Sequence, residues 1–490
     1  METTDAALQG PAGMTALKEL RELGFDVTLF ERRNNVGGIW TWSEDHSITT
    51  ALKETQVCNS KYGMGSYLQS YAKHFDLYKN IEFGKTVTQF ERTTGTSKWQ
   101  LTFADETDTP RSFDKIVWAT GGFLRPKTSE NLEEFKDQNA IVLGIGNTAG
   151  DITINLVHHA KKVYISHRRG TKIFKRVGGD GLPADLMITP TISAILWWIE
   201  AYLPWLFGKI MDSAMDSNFK DSWGENKAAW GFVQSPSVGD GYHIVVCNDD
   251  LIPLVKEGKV TSTKGIKRIV GPKAVELDDG SVIEDVDTII ACVGYTDDMG
   301  MLADALTFVD APGEAAPLPN LYMGIFPPEY ADSVAVISNV HLNAPQIPGR
   351  ELAAMAVAQI WAGHSSLPSK LTMDAWVDKH QDWLRKRIVR AHGLHRGEVP
   401  SIQWNYFAHN AAGTGLYDNI GWSWKAWKLW CCDRELYNAL AHGPSTAHGY
   451  RIFETGKRTA WKGARQAVLD ANAEVKMLKE ASAKKKKKAT

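Results

Sequence analysis

Cysteine is scarce in this chain: five in 490 residues, at Cys58, Cys247, Cys292, Cys431 and Cys432. An odd number at these spacings makes neither a disulfide framework nor a metal site, and the lack of any C-x-x-C argues against a dithiol reductase. A reducing, cytoplasmic setting is the default that follows. Net charge is nearly absent as well, with 55 basic against 57 acidic residues and a balance of -2, so no general field draws nucleic acid to the chain. The N-terminus shows no basic-then-apolar signal segment. No uninterrupted apolar run reaches the roughly 20 residues of a membrane-spanning helix. The longest candidate, MITPTISAILWWIEAYLPWLFGKIM (187–211), contains Glu200 and is broken by Pro190 and Pro204. A packed helical insert is expected there in preference to a membrane segment. The tail ASAKKKKKAT reads as solvated and disordered, with peripheral attraction to a membrane surface as the lesser reading.

What is present is a hydrophobic fraction of 43%, ordinary for two or three domains in a chain of this length. In ALQGPAGMTALKELRELGFDVTLFERR (7–33) the turn resembles a phosphate-gripping G-x-G-x-x-G. Gly10 and Gly13 take its second and third places, and Leu8 stands where the first belongs. Leu17, Leu20 and Leu23 recur at helical spacing until Gly24 stops the helix. The β run DVTLFE then ends on Glu31, 18 residues past Gly13, where an acid suits ribose hydroxyls. Gly37 and Gly38, ahead of Trp40, allow backbone to approach a flat ring or a phosphate closely. Taken alone, an acid in the position of Glu31 is more often an exposed strand-end residue.

A second unit is better preserved. The apolar strand AIVLG leads through Gly144, Gly146, Asn147, Thr148 and Ala149 into a helix, giving G-x-G-x-x-A. Gly144 permits the tight turn, Gly146 the close approach of a pyrophosphate, and Ala149 the packing of helix on strand. The next strand, KKVYIS, ends at His167-Arg168-Arg169. Arginine at that place suits a ribose 2′-phosphate where an acid would suit a free 2′-hydroxyl, so NADP is favoured over NAD. Two strand–glycine–helix units predict an α/β fold of two nested, doubly wound, Rossmann-like nucleotide-binding domains. A mostly helical C-terminal region follows, in which the tryptophans, WSWKAWKLW included, are expected to fill a core.

The Gly10/Gly13 turn, Glu31 with GGIW, GIGNTAGD and the SHRR ending together resemble the flavin-containing monooxygenases. The strands DKIVWATGGFLRP (114–126) and DTIIACVGYT (287–296), and the stretch 434–465, extend that resemblance to nearly the whole chain. It implies FAD and NADPH as cofactors, O2 as co-substrate, and a small amine or sulfide oxygenated through a C4a-hydroperoxyflavin. In QVCNSK it implies that Asn59, beside Ser60 and Lys61, lies against the flavin as the catalytic asparagine. It also implies that the helix starting near Gly349 caps the flavin ring. The domain boundaries expected are 1–136 for the first part of the FAD domain, with its first strand missing, and 137–300 for the NADPH domain, carrying a helical insert at about 183–235. Residues 301–365 return to the FAD domain, 366–480 form the helical region, and 481–490 the lysine tail.

Three features depart from the family pattern. The opening strand and first glycine of the flavin turn are lacking. Ahead of the second turn, Asp137 stands where an F-x-G-x-x-x-H motif has glycine and Ile141 where it has histidine. The stretch from Tyr62 to Ser66 is short. Two alternatives therefore stay open beside the N- or S-oxygenase: a silent remnant that binds NADP but holds FAD poorly, and a Baeyer–Villiger-type oxygenase.

Overall fold

The computed structural model describes residues 3–7, 10–40, 63–105, 107–120, 132–178, 181–183, 186, 188–233, 235, 237–238, 245–294, 299–313, 317–342, 346–390 and 394–489. Strand β1 (Thr3–Ala7) lies between β2 (Asp26–Glu31) and β7 (Lys115–Trp118), and β3 (Ile81–Phe83) and β19 (Val334–Val336) complete an all-parallel sheet in the order β19-β7-β1-β2-β3. The expected loss of the first strand is thus corrected. Thr3–Ala7 pairs with β2 from Thr3↔Asp26 to Ala7↔Phe30, and with β7 from Thr4↔Lys115 to Ala7↔Trp118. The ladder is made by backbone groups, and an empty central slot would leave two neighbouring edges unpaired. A polar Thr-Thr-Asp segment fills it although no apolar pattern announces a strand. Leu8 lies outside the described residues.

The chain leaves this sheet after β7 and returns to it only at β19. Between them a second all-parallel sheet forms in the order β12-β9-β8-β16, from β8 (Asn139–Leu143), β9 (Lys162–Ser166), β12 (Val260–Thr263) and β16 (Thr288–Ala291). One doubly wound unit is therefore nested in the other. Smaller antiparallel sheets fill the connections: β4 (Val87–Arg92), β5 (Trp99–Phe103) and β6 (Arg111–Phe113), and later β13 (Ile266–Gly271), β14 (Ala274–Leu277) and β15 (Val282–Ile283). Two short pairs are added, β10 (Lys172–Phe174) with β11 (Val245–Cys247) and β17 (Phe308–Val309) with β18 (Leu318–Pro319).

Helix α1 (Pro11–Glu22) starts on a proline, whose fixed φ suits a first helical turn, and ends where Gly24 takes φ +84°. Leu17 and Leu20 enter one core with Ala353, Ala354 and Ala358 of α7 (Gln346–Trp361), which follows β19. The other helices near the sheets are α2 (Met64–His74), α3 (Asn147–Leu156), the insert helices α4 (Pro190–Tyr202) and α5 (Pro204–Trp223), and α6 (Leu251–Lys256). The insert buries Pro190, Ser193 and Trp197 but exposes Ile192, Ile195, Trp198, Tyr202 and Trp205. Among the described residues no helix is long and apolar enough to cross a membrane.

The C-terminal region comprises α8 (Lys370–Arg390), α9 (Ser401–Ala412), α10 (Leu416–Ile420), α11 (Trp424–Cys432), α12 (Arg434–His442) and α13 (Ala464–Ala489). Trp404 is fully buried, yet Trp422 is 92% and Trp424 80% exposed, so the expectation that the tryptophans fill a core fails for WSWKAWKLW. Helix α11 buries only Ala426, and its three-residue aromatic spacing marks the outward face. The lysine run is likewise drawn into α13, where the structure differs from the disordered tail expected: alanine and lysine are good helix formers, and like-charge pairs oppose the helix by only a few tenths of a kcal/mol.

Six buried or half-buried charges bind α1 to α7 and to the C-terminal segment. Glu19 accepts from Arg451 and from Arg458, each at 2.7 Å, and from Lys18 at 2.9 Å. Lys18 also reaches Glu22 at 2.7 Å, and Arg451 bonds the Glu351 carboxylate of α7. Burial alone would raise the Glu19 carboxyl, but Lys18, Arg451 and Arg458 hold it down to about 2. Its contribution to stability is therefore complete above the ordinary carboxyl pKa and lost as pH falls from there towards 2. Arg451→Met should lower stability by about 3–5 kcal/mol, because two carboxylates are left buried against one fewer cation. Denaturant titration checks this, and Glu19→Gln should flatten the acid limb of the stability–pH curve.

Candidate functional site

The ends of parallel strands are where doubly wound folds place ligands, and both glycine elbows occur there. At the first, Gly10 is the N-cap of α1 in extended backbone (φ -139°, ψ -167°), and no side chain caps the helix. The first-turn N–H groups and the positive helix end are left for an anion. A Cβ at Gly10 would meet nothing within 4 Å, so the space beside it is open. Gly13 is buried in the first turn. On the adjacent strand Glu31 is only 2% exposed, and its Oε1 accepts the Arg33 backbone N–H at 2.7 Å. Arg33 Nη1 in turn donates to the Gly38 carbonyl at 2.6 Å, which folds the glycine pair back towards the strand end. Gly37 and Gly38 take φ +137° and +56°, conformations that favour glycine. Trp40 ends the short helical turn Gly38–Trp40, 36% exposed. The structure brings Gly10, Gly13, Glu31 and Gly38 to one sheet edge. Asn59, Ser60 and Lys61 lie outside the described residues.

At the second elbow Gly144 has φ +126°, and a Cβ there would stand 2.3 Å from the Cys292 carbonyl oxygen. Only glycine fits. Gly146 is the uncapped N-cap of α3 (φ -81°, ψ 180°), and a Cβ on it would meet nothing within 4 Å. By contrast α4, α11 and α12 are closed by the side chains of Thr189, Ser423 and Asp433. Thr148 follows in the first turn, and Ala149 is fully buried. Asn147 is partly committed: its Oδ1 accepts the Cys247 N–H at 3.0 Å and ties the helix start to β11.

Arg168 and Arg169 leave the end of β9 exposed, and among the described residues neither forms an ion pair. His167 before them is buried, stacked on Phe232 at 5.5 Å, with Nε2 2.9 Å from Ser262 Oγ. Burial, aided by Lys264, pushes its pKa down to about 4. The positive charge of SHRR therefore rests on the two arginines at neutral pH.

Two features escaped the sequence reading. A Cβ on Gly265 would lie 2.5 Å from Arg168 Cγ, so that glycine seats the arginine stem; its only sequence signal is a glycine at a strand end. Asp151, the last residue of GIGNTAGD, is pushed up to about 6 by burial, with Arg176 opposing, and stands 3.5 Å from Asn248 Nδ2. Of the two departures ahead of this elbow, Asp137 keeps the backbone a glycine favours (φ +59°), whereas Ile141 is buried in the middle of β8.

Residues 111–490 match the family model described as flavin-binding monooxygenase-like, and residues 10–81 match that of an NAD(P)-binding Rossmann-like domain. The chain is 31% identical over 517 aligned residues to monooxygenase aurF of Gibberella zeae, covering 95% of this chain and 96% of that protein. It is 27% identical to dimethylaniline monooxygenase [N-oxide-forming] 4 of Oryctolagus cuniculus, covering 94% of this chain and 86% of that one. Among solved structures, S-allyl-L-cysteine S-oxygenase from Allium sativum superposes with a TM-score of 0.54 at 17% identity, covering 89% of this chain and 94% of its own. That likeness is one of fold.

The two elbow glycines of the second unit should respond differently to alanine. Gly144→Ala drives a methyl into the Cys292 carbonyl and should lower stability by about 1–3 kcal/mol. Gly146→Ala meets open space and should leave the melting temperature unchanged while weakening dinucleotide binding. Thermal melts and dinucleotide titration of both variants check the contrast.

Proposed function

Because this chain belongs to the flavin-binding monooxygenase-like family, we propose that it oxygenates the nitrogen or sulfur of small soft nucleophiles, amines or sulfides, at the expense of NADPH and O2. It is an FAD- and NADPH-dependent monooxygenase by that membership. The observation that carries the site assignment is the pair of uncapped helix ends behind open glycine elbows, one beside a buried acid and the other beside two exposed arginines that form no ion pair among the described residues.

The residues fit both cofactors. Gly10, Gly13 and the start of α1 would hold the FAD pyrophosphate, and Glu31 the ribose. A carboxylate has several acceptor positions, so ribose hydroxyls can share it with the Arg33 N–H. Gly38 and Trp40 would line the same cofactor. Gly144, Gly146, Asn147 and Thr148 would hold the NADPH pyrophosphate, with Arg168 and Arg169 on its 2′-phosphate. Bound FAD supplies electron transfer from NADPH and the activation of oxygen. The protein's part is to orient the two dinucleotides, to exclude water and to place hydrogen bonds, the last assigned to Asn59. On this reading residues 1–136 and 301–365 form the FAD domain and 137–300 the NADPH domain. With β1 in place the flavin-side sheet is continuous, which removes the main ground for a remnant that holds NADP alone.

Purified protein should carry bound flavin, seen by its visible absorbance, which NADPH bleaches in the absence of oxygen, and aerobic turnover should yield N-oxide or S-oxide by mass spectrometry. A colourless protein that binds NADP would defeat the proposal. Arg168→Ala with Arg169→Ala should weaken NADPH by about 100-fold, on the scale of lost charge-assisted hydrogen bonds, and NADH far less. Equal weakening of both would remove the reason for choosing NADPH.

A further inference from the structure

The carboxyl edge of the second parallel sheet holds an acid among its cations. Strand β12 lies at the outer end of the order β12-β9-β8-β16 and pairs with β9 from Val260↔Val163 to Thr263↔Ser166. Lys264 and Gly265 therefore leave β12 beside His167 and Arg168, which leave β9. The Ser166 hydroxyl donates to the Lys264 carbonyl at 2.8 Å, and the His167 N–H donates to the Thr263 carbonyl at 3.2 Å. The two strand ends are thus bonded to each other where the arginines begin.

Gly265 is where opposite charges meet. A Cβ there would stand 2.5 Å from Arg168 Cγ and 2.3 Å from Asp278 Oδ2. The arginine stem and the carboxylate converge on one point, in space that a side chain at 265 would take. Asp278 is the first residue beyond β14, and its N–H donates to the Gly265 carbonyl at 2.8 Å, which ties the acid to the end of β12. Asp278 is exposed, and among the described residues it forms no ion pair. The neighbouring acids are committed elsewhere. Glu276 bonds Lys267 and Arg268, each at 2.7 Å, and Asp279 accepts from the hydroxyl and the N–H of Ser281 at 2.6 and 3.0 Å. His167 is neutral and adds no charge.

Doubly wound folds tell the two nicotinamide dinucleotides apart at this place. An acid accepts the free 2′-hydroxyl of one, and an arginine takes the 2′-phosphate of the other. The choice is ordinarily made at the end of the second strand alone. Here β9 ends on the arginines, while the segment after β14 brings an acid to the side of Arg168. Both signals stand in one site. A carboxylate beside a phosphate in a solvent-exposed cleft repels it moderately, and salt screens the effect.

We propose that Asp278 is a coenzyme-specificity residue: its carboxylate opposes the 2′-phosphate of NADPH beside Arg168 and accepts the 2′-hydroxyl of NADH, so that the chain takes NADH as well. The inference rests on the NADPH reading above. Arg168 and Arg169 still favour the phosphate, and Asp278 narrows their margin.

The test uses the full-length protein with Asp278→Asn, Asp278→Ser and, as a control for net charge, Asp279→Asn. The readouts are the dissociation constants of NADP+ and NAD+ by titration, at low and high salt, and the melting temperature. The wild type should bind both dinucleotides, NADP+ more tightly. Asp278→Asn should tighten NADP+ about fivefold and leave NAD+ unchanged or weaker, with a smaller gain at high salt. Asp279→Asn should leave the ratio of the two constants where it was. An unchanged ratio in Asp278→Asn overturns the inference, and so does an equal rise in Asp279→Asn, which marks net charge alone. Weaker NADP+ binding in Asp278→Asn also overturns it, since that marks a brace for Arg168. If Asp278→Asn does not fold, Asp278→Ser carries the same comparison. A wild type that binds NADP+ but no NAD+ overturns the proposal by itself. One that binds neither sinks the NADPH reading instead, and is recognised before any variant is made.

Discussion

Glu19 sits near the middle of the first dinucleotide helix, almost without contact with water, and is kept ionised by Lys18, Arg451 and Arg458. That arrangement constrains everything around it. Arg451 also holds Glu351, so the helix behind the Gly10 elbow and α7 are clamped through one guanidinium. Removing a single partner strands a charge in a low-dielectric setting, whereas the intact set of three cations and three carboxylates is balanced.

The second unit depends on a different kind of constraint, close approach. Gly144 lies where a methyl would overlap the Cys292 carbonyl, and Gly265 where it would overlap the stem of Arg168. Both glycines act through what they lack. One keeps the elbow against the neighbouring strand, and the other lets the strand-end arginine lie down beside the site. His167 completes the local logic by staying neutral and buried between them and the insert, on Phe232.

How much of this was legible follows from the range of each interaction. The elbows at Gly10 and Gly144, the acid at Glu31 and the arginines at 168 and 169 are set by local geometry, and their spacing on the chain is their spacing on the fold. The nested α/β architecture was readable because the two strand–turn–helix patterns each close on a later β run. Strand β1 was not readable, since a central strand is held by backbone pairing and Thr-Thr-Asp carries no apolar period. The aromatic stripe of α11 was misjudged because periodicity identifies a face but not what covers it. The ion pair between Glu19 and Arg451 spans 432 residues, beyond any pattern a linear reading can find.

The nesting also governs how the polypeptide can acquire its shape as it emerges during synthesis. The inner sheet is complete once Ala291 has left the ribosome, while the outer one waits for Val336 to fill its last edge. Glu19 waits longer still, for cations at 451 and 458. The unit begun first is therefore sealed last, and until the final stretch of chain arrives its leading helix keeps an acidic, water-loving face where the finished protein is dry.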